Sequence, residues 1–298
     1  MSLRSENDMK TVKGAVAVVT GASSGIGRAI ARELAARGCD LALADIDEAG
    51  LEETRASITG VRVTTNRVDV ANNDDMLRFR DAVARDFGRA SILVNNAGVA
   101  LYGSIDDVSV PDLEWIMGIN FWGAVYGTKA FVPLLRREPA ANVVTISSLF
   151  GLIAPPLQSG YCASKFAVRG FTEVLRHELR PTNVRVTVVH PGGIATKIAA
   201  STRRGEFADP ARFRSDTKAF ERALVTSPHV AADKIVRAIL RDRPRLVIGA
   251  DALVLDAVQR FFPARYMSIV RPLLDPRARF RVRKTDPGAS PEPALERV

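Results

Sequence analysis

Tyr161 and Lys165 stand four residues apart in the run Tyr161-Cys162-Ala163-Ser164-Lys165. At the start of a helical pattern this spacing puts both side chains on one face, one turn apart. A phenol with a pKa of about 10 is a poor base at neutral pH, but a nearby ammonium stabilises the phenolate and draws that pKa toward the working range. Such a tyrosine can give a proton to a carbonyl oxygen during reduction and take one from an alcohol during oxidation. Ser148 follows an expected strand and can donate a hydrogen bond to the same oxygen. Alone, a tyrosine and a lysine at this spacing read more readily as decoration of a helix surface.

A second group lies near the start. Thr20-Gly21-Ala22-Ser23-Ser24-Gly25-Ile26-Gly27 joins an expected strand to an expected helix. Glycine removes the Cβ that blocks approach of backbone to phosphate, and the helix N-terminus turns free N–H groups toward an anion. The spacing G-x-x-x-G-x-G departs from the G-x-G-x-x-G dinucleotide fingerprint. Asp45 closes the second expected strand about twenty residues on, where a carboxylate can accept from both ribose hydroxyls and repel a 2′-phosphate. No basic residue stands at Ser24 or Ile46, so the expected cofactor is NAD, with NADH preferred over NADPH. Asp45 could instead cap the helix beginning near Glu48, a role open equally to Asp47.

These groups need a scaffold. Short β-branched runs alternate with amphipathic patterns from Val12 to about Gly249. This predicts a Rossmann-like, doubly wound α/β fold with a parallel seven-stranded sheet and helices on both faces. The expected strands are Ala15 to Thr20, Asp40 to Asp45, Val61 to Val68, Ser91 to Asn95, Asn142 to Ser147, Val184 to His190 and Leu246 to Gly249. Helical periodicity is plain over Ile26 to Ala36, Met76 to Phe87 and Phe166 to Leu179. The reading divides the chain into a flexible leader (1–11), a dinucleotide-binding catalytic domain (12–250), a helical extension (251–274) and a basic disordered tail (275–298). The charged stretch from Ile198 to Pro228 lacks a clear period and is expected to be a mobile lid or substrate loop.

Composition narrows the field. Forty-two Lys and Arg against 33 Asp and Glu give a net charge of +9, and several of the arginines (Arg277, Arg279, Arg281, Arg283) fall in the tail. No recognition motif accompanies them, so nucleic acid is not an expected partner. Cys39 and Cys162 lie far apart, and His177, His190 and His229 have no ligand-spaced partner, which predicts neither disulfide nor metal site. The apolar run Ala15 to Val19 is too short for a signal or a membrane span, and a cytoplasmic location is expected.

In their order these motifs resemble the classical short-chain dehydrogenase/reductase family, over roughly Val12 to Gly249. The glycine turn matches its cofactor motif, Asp69-Val70 its adenine contact, and Asn95-Asn96-Ala97-Gly98 the segment closing the fourth strand. Asn120 matches the helix asparagine that holds a water in a proton relay through the lysine. Ser148, favoured over Ser147 by its spacing to the tyrosine, completes the catalytic set with Tyr161 and Lys165. Pro191-Gly192, with Ile194 and Thr196, matches the turn that holds the nicotinamide end. The resemblance implies hydride transfer beside Tyr161, a ribose contact for Lys165, and a homodimer or homotetramer built on helices around Trp115 to Leu135 and Phe166 to Leu179.

The expected substrate walls, Val99 to Tyr102 and Leu149 to Leu157, are mainly apolar, which favours a hydrophobic alcohol or ketone. The same side chains could instead pack the domain or a subunit contact. Arg203, Arg204, Arg212 and Arg214 could greet an anionic substrate or form a solvated face. Leu253 to Leu274 reads as a cap packed on the enzyme or as a basic apolar pair making peripheral membrane contact. The competing functions are an NADP(H)-dependent 3-ketoacyl reductase and a catalytically silent NAD(H)-binding sensor.

Overall fold

The computed structural model describes residues 9–274, so the leader up to residue 8 and the tail from Asp275 lie outside the described residues. The first half runs β1 (Val16–Thr20), α1 (Gly25–Ala36), β2 (Asp40–Asp45), α2 (Glu48–Ala56), β3 (Val63–Arg67), α3 (Asn73–Phe87), β4 (Ile92–Asn95) and β5 (Leu101–Tyr102). A helix then forms in two parts, α4 (Val110–Met117) and α5 (Gly123–Leu135), joined by a π turn at Gly118–Trp122. The second half runs β6 (Ala141–Ile146), α6 (Ser159–Leu179), β7 (Val184–Pro191), β8 (Arg203–Arg204), α7 (Pro210–Ala223), α8 (Pro228–Leu240), β9 (Arg245–Ile248), α9 (Ala250–Phe261) and α10 (Tyr266–Leu274).

Seven strands pair in parallel in the order β3-β2-β1-β4-β6-β7-β9. Successive residues of a strand point to opposite faces. Ala17, Val19, Leu41, Leu43, Ile92 and Val94 therefore enter one apolar layer with α1 and α8. Val18, Ala42, Ala44 and Leu93 enter the other, under α3, α5 and α6. Both faces are buried, which is why the strands read as unbroken apolar runs. The chain leaves β1 toward β3 on one side and crosses to β4 on the other, so the carboxyl ends of β1 and β4 open a crevice at the switch point.

The stretch expected as a loop from Ile198 to Pro228 is instead folded, with β8 pairing to β5 in a two-stranded sheet and α7 following. Asp209 caps α7 by accepting from Ala211 N and Arg212 N, and Pro210 occupies its first turn. No residue of α7 is buried, and its sequence is predominantly polar, with Phe213 and Phe220 its only large apolar side chains. Helix α6 begins seven residues earlier than the period at Phe166 suggested, and carries both Tyr161 and Lys165 in its first two turns.

Candidate active site

The glycine turn leaves β1 with Gly21 in the left-handed region at φ 67°. A Cβ there would lie 2.7 Å from Ala97 Cα, and one on Gly27 would lie 2.0 Å from Gly21 O. Backbone therefore packs on backbone where any side chain would separate them. The Asn96 amide donates from Nδ2 to Thr20 O and Gly21 O, both at 3.0 Å, while Thr20 Oγ1 accepts from Asn96 N and Ala97 N. The segment after β4 thus staples the turn.

Asp45 stands at the end of β2, where its Oδ2 accepts from Ser23 N at 3.0 Å. Asp47 is the residue that caps α2, accepting from Gly50 N. The capping alternative for Asp45 is thereby removed, and its carboxylate faces the cavity beside Ile46.

That cavity has a volume of about 2160 Å³ and runs along the carboxyl edge of the sheet. Ser23, Ser24, Gly25, Ile26, Asp69 and Val70 line one end together with Gly21 and Asp45. Asn96, Ala97 and Gly98 line its floor, and Pro191, Gly192, Ile194 and Thr196 bound it near Ser148, Tyr161 and Lys165. Two of the expected residues sit behind it. Gly27 packs against Gly21, and Asn120 is buried in the π turn.

Asn120 Nδ2 donates to Val99 O at 3.0 Å and to Ser164 Oγ at 2.9 Å, while its Oδ1 accepts from Val99 N at 2.8 Å. Ser164 Oγ donates in turn to Tyr161 O at 2.8 Å. This chain of bonds ties the π turn to the helix that carries the tyrosine. Ser147 is fully engaged as a donor to Lys165 O at 2.8 Å. Both serines line the cavity, but it is the Ser148 hydroxyl that lies beside the Tyr161 phenol, and it also caps a short 3-10 turn at Leu149–Gly151.

Tyr161 and Lys165 are both buried. Lys165 Nζ lies 5.7 Å from the Tyr161 ring centre and donates to Ile146 O at 3.2 Å. Burial pushes the Tyr161 phenol up to about 12, against the downward pull of the Ser148 hydroxyl beside it. Burial likewise pushes Lys165 down to about 8. The expectation that the ammonium lowers the phenol is not met in this structure: loss of water raises it, and the group that opposes the rise is the Ser148 hydroxyl.

Several residues of the cavity carried no signal read from the sequence. Asp251 accepts from Gly193 N at 2.9 Å and supports the Pro191-Gly192 turn; an acid in the first turn of a helix after Gly249 was the available sign. Tyr102 O–H donates to Asp216 of α7 at 2.6 Å, and Phe150 stacks on Phe220 at 6.3 Å, so α7 covers the apolar end. Leu255 of α9 and Met267 of α10 complete that wall. Of the four arginines expected to greet an anion, Arg203 pairs with buried Asp112, Arg204 donates to Ala208 O, and only Arg212 faces the cavity. Among the described residues no group of His, Cys, Asp or Glu is arranged to hold a metal ion.

The sequence model of the short-chain dehydrogenases matches residues 15–206. The chain belongs to the short-chain dehydrogenase/reductase family. The SadH protein of Mycobacterium tuberculosis, named as an oxidoreductase, is 43% identical over 267 residues, covering 88% of this chain and 96% of that one. Human estradiol 17-beta-dehydrogenase 11 is 30% identical over 267 residues, covering 88% and 84% respectively. A short-chain dehydrogenase/reductase of Burkholderia phymatum, solved in complex with NAD, is 32% identical with a TM-score of 0.78, over 85% of this chain and 95% of that one. As a short-chain dehydrogenase/reductase, the chain has the family's general activity, NAD(P)(H)-dependent oxidation and reduction of small organic substrates.

Proposed function

We propose that this dehydrogenase moves hydride between NAD(H) and a hydrophobic secondary alcohol or its ketone, with Tyr161 as general acid and base. The carrying observation is that a single cavity joins the glycine turn and Asp45 to the Ser148, Tyr161 and Lys165 cluster beside an apolar wall of Leu149, Phe150, Leu157 and Leu255. The residues present fit a dinucleotide. The turn allows backbone approach, and Asp45 is placed to accept from ribose hydroxyls while opposing a 2′-phosphate. Arg28, the cation on that turn, is turned to Gly50 O and Glu53 rather than to the cavity. The NAD held by the Burkholderia relative agrees with this preference.

A bound nicotinamide supplies or accepts the hydride. The rest is the chain's own work. Ser148 donates to the substrate oxygen, Tyr161 gives or takes its proton, and Lys165 holds the nicotinamide ribose. Asn120 keeps the π turn and α6 in register. The cavity exceeds the roughly 300–1,000 Å³ of common small-molecule sites, which leaves room beyond the cofactor for a bulky lipophile. Phe150, Leu149, Leu157 and Phe220 offer that lipophile no charge. The estradiol dehydrogenase among the relatives supports this substrate class.

We assign subunit association to the face of α5 and α6, where Phe121, Trp122, Tyr126 and Phe171 form linked ring contacts and Trp122, Phe166 and Val174 are exposed. A neutral aromatic patch of this kind suits an isologous contact between copies. The deciding experiment measures NADH and NADPH binding to the purified protein, then nicotinamide absorbance across a panel of hydrophobic ketones and alcohols. Tight NADH binding with turnover is expected; binding without turnover across the panel would favour a silent NAD(H) sensor.

A further inference from the structure

Helix α9 has two apolar faces, and only one of them is used. Ala252 and Leu255 turn inward, where they meet Leu149, Ile153 and Val270. Tyr266 Oη of α10 accepts from Ala154 N at 2.9 Å. The packed reading of this segment therefore holds for the inner face. At 100° per residue, Leu253, Val254, Ala257 and Phe261 fall within an arc of about 100° on the opposite side. All four are exposed, Phe261 by 79%. Phe262 continues the stripe into the turn that follows.

The charge at the far end of this stripe is cationic. Arg260 flanks it, and Arg265 stands in the turn beyond, where among the described residues no acidic side chain pairs with it. The hairpin's two acids are occupied elsewhere: Asp251 accepts from Gly193 N, and Asp256 is held by Arg245 and Arg260. A twofold contact between copies would set Arg265 against a face whose carboxylates are already engaged, Asp256 by two arginines and Asp251 by the Gly193 amide. The aromatic face on α5 and α6 has no such conflict. Apolar side chains bordered by arginine are what an interfacial helix offers to acyl chains and anionic headgroups.

We propose that the outer face of α9, with Phe262 and Arg265, docks this protein on an anionic lipid surface. Leu255 and Met267 of the same two helices wall the cavity, so docking sets the apolar end of the active site against the membrane from which a lipophile would enter. This last step rests on the substrate class proposed above; the docking itself does not.

The test is sedimentation of the full chain with vesicles of phosphatidylcholine alone and of phosphatidylcholine mixed with phosphatidylglycerol, at low and high salt. The wild type is expected to bind the anionic vesicles and to be released by salt. Phe261→Ser with Phe262→Ser, which keeps the basic tail, should weaken binding by about tenfold or more. Arg265→Glu should weaken it by roughly fivefold or more. No wild-type binding, equal binding to neutral vesicles, or undiminished binding by the double variant would each overturn the proposal. So would a fall in oligomeric mass of the double variant by light scattering, which would make a second copy the occupant. Vesicle binding needs no turnover, so a chain that docks but reduces nothing would overturn the catalytic reading and leave this one standing.

Discussion

His190 Nδ1 lies 3.1 Å from the main-chain oxygen of Ser148. A carbonyl oxygen only accepts, so the bond requires the proton on Nδ1 and leaves Nε2 bare, and Nε2 is buried without a partner. Burial pushes this imidazole down to about 4, against the upward pull of the Ser148 carbonyl. The unfolded chain takes up the proton near the ordinary value of about 6.5. Between those values the unfolded state holds more protons, so stability is fully present above about pH 6.5 and is lost as pH falls toward 4. The loss attributable to His190 is roughly 3 kcal/mol. Urea unfolding at pH 7 and pH 5 should show this slope, and His190→Asn should flatten it. A variant with the wild-type slope would show that the imidazole is not the group responsible.

Tyr161→Phe removes the proton donor and keeps the ring. It should lower kcat by about 10²–10⁴-fold while NADH binding, followed by fluorescence, stays as in the wild type. Ser147→Ala is the contrasting control. It breaks the bond to Lys165 O and should lower stability by about 1 kcal/mol or more, with NADH affinity little changed. Retained turnover in the tyrosine variant would remove Tyr161 from the chemistry.

The strands and the glycine turn were legible because their signals are local: apolar runs of strand length, and a turn between strand and helix. Helix α5 carries the opposite signals, with Gly123, Gly127 and Pro133 along it. The glycines answer tertiary contacts. A Cβ on Gly123 would lie 2.9 Å from Val70 Cγ2, and one on Gly127 would lie 2.4 Å from Asn95 Oδ1. Close approach to neighbouring segments thus fixed residue types that local propensity disfavours. The site was legible as types and spacing, yet its electrostatics were not. The burial that lifts Tyr161 comes from side chains far apart in the chain, among them Ala100, Leu101, Val108, Ile116 and Phe150.

Asp45 is the residue on which cofactor choice turns. Its bond to Ser23 N holds the carboxylate over the glycine turn, where a 2′-phosphate would meet like charge at a cost of several kcal/mol. Asp45→Ser keeps a hydroxyl that can accept from Ser23 N and removes the charge. The ratio of NADPH to NADH dissociation constants should then fall by about tenfold or more. An unchanged ratio in calorimetric titrations would show that the ribose contact lies elsewhere.

Leu157 takes a left-handed backbone at φ 66°, which side chains rarely adopt, and it lines the cavity. Its carbonyl accepts from Gly103 N at 3.0 Å, so the pairing of this loop with the segment after β5 holds the strained geometry. Strain of this kind costs about 1–3 kcal/mol and persists where the surroundings over-determine it. Leu157→Gly relieves the strain and deletes the side chain from the apolar wall. Thermal stability should therefore stay level or rise, because the relief offsets the lost contacts and the greater freedom of glycine in the unfolded chain. KM for a bulky ketone should rise while kcat changes little, since the proton-transfer residues are untouched. A drop in stability of the size seen for an ordinary buried leucine, about 2–5 kcal/mol, would mean that Leu157 serves packing and not the substrate wall.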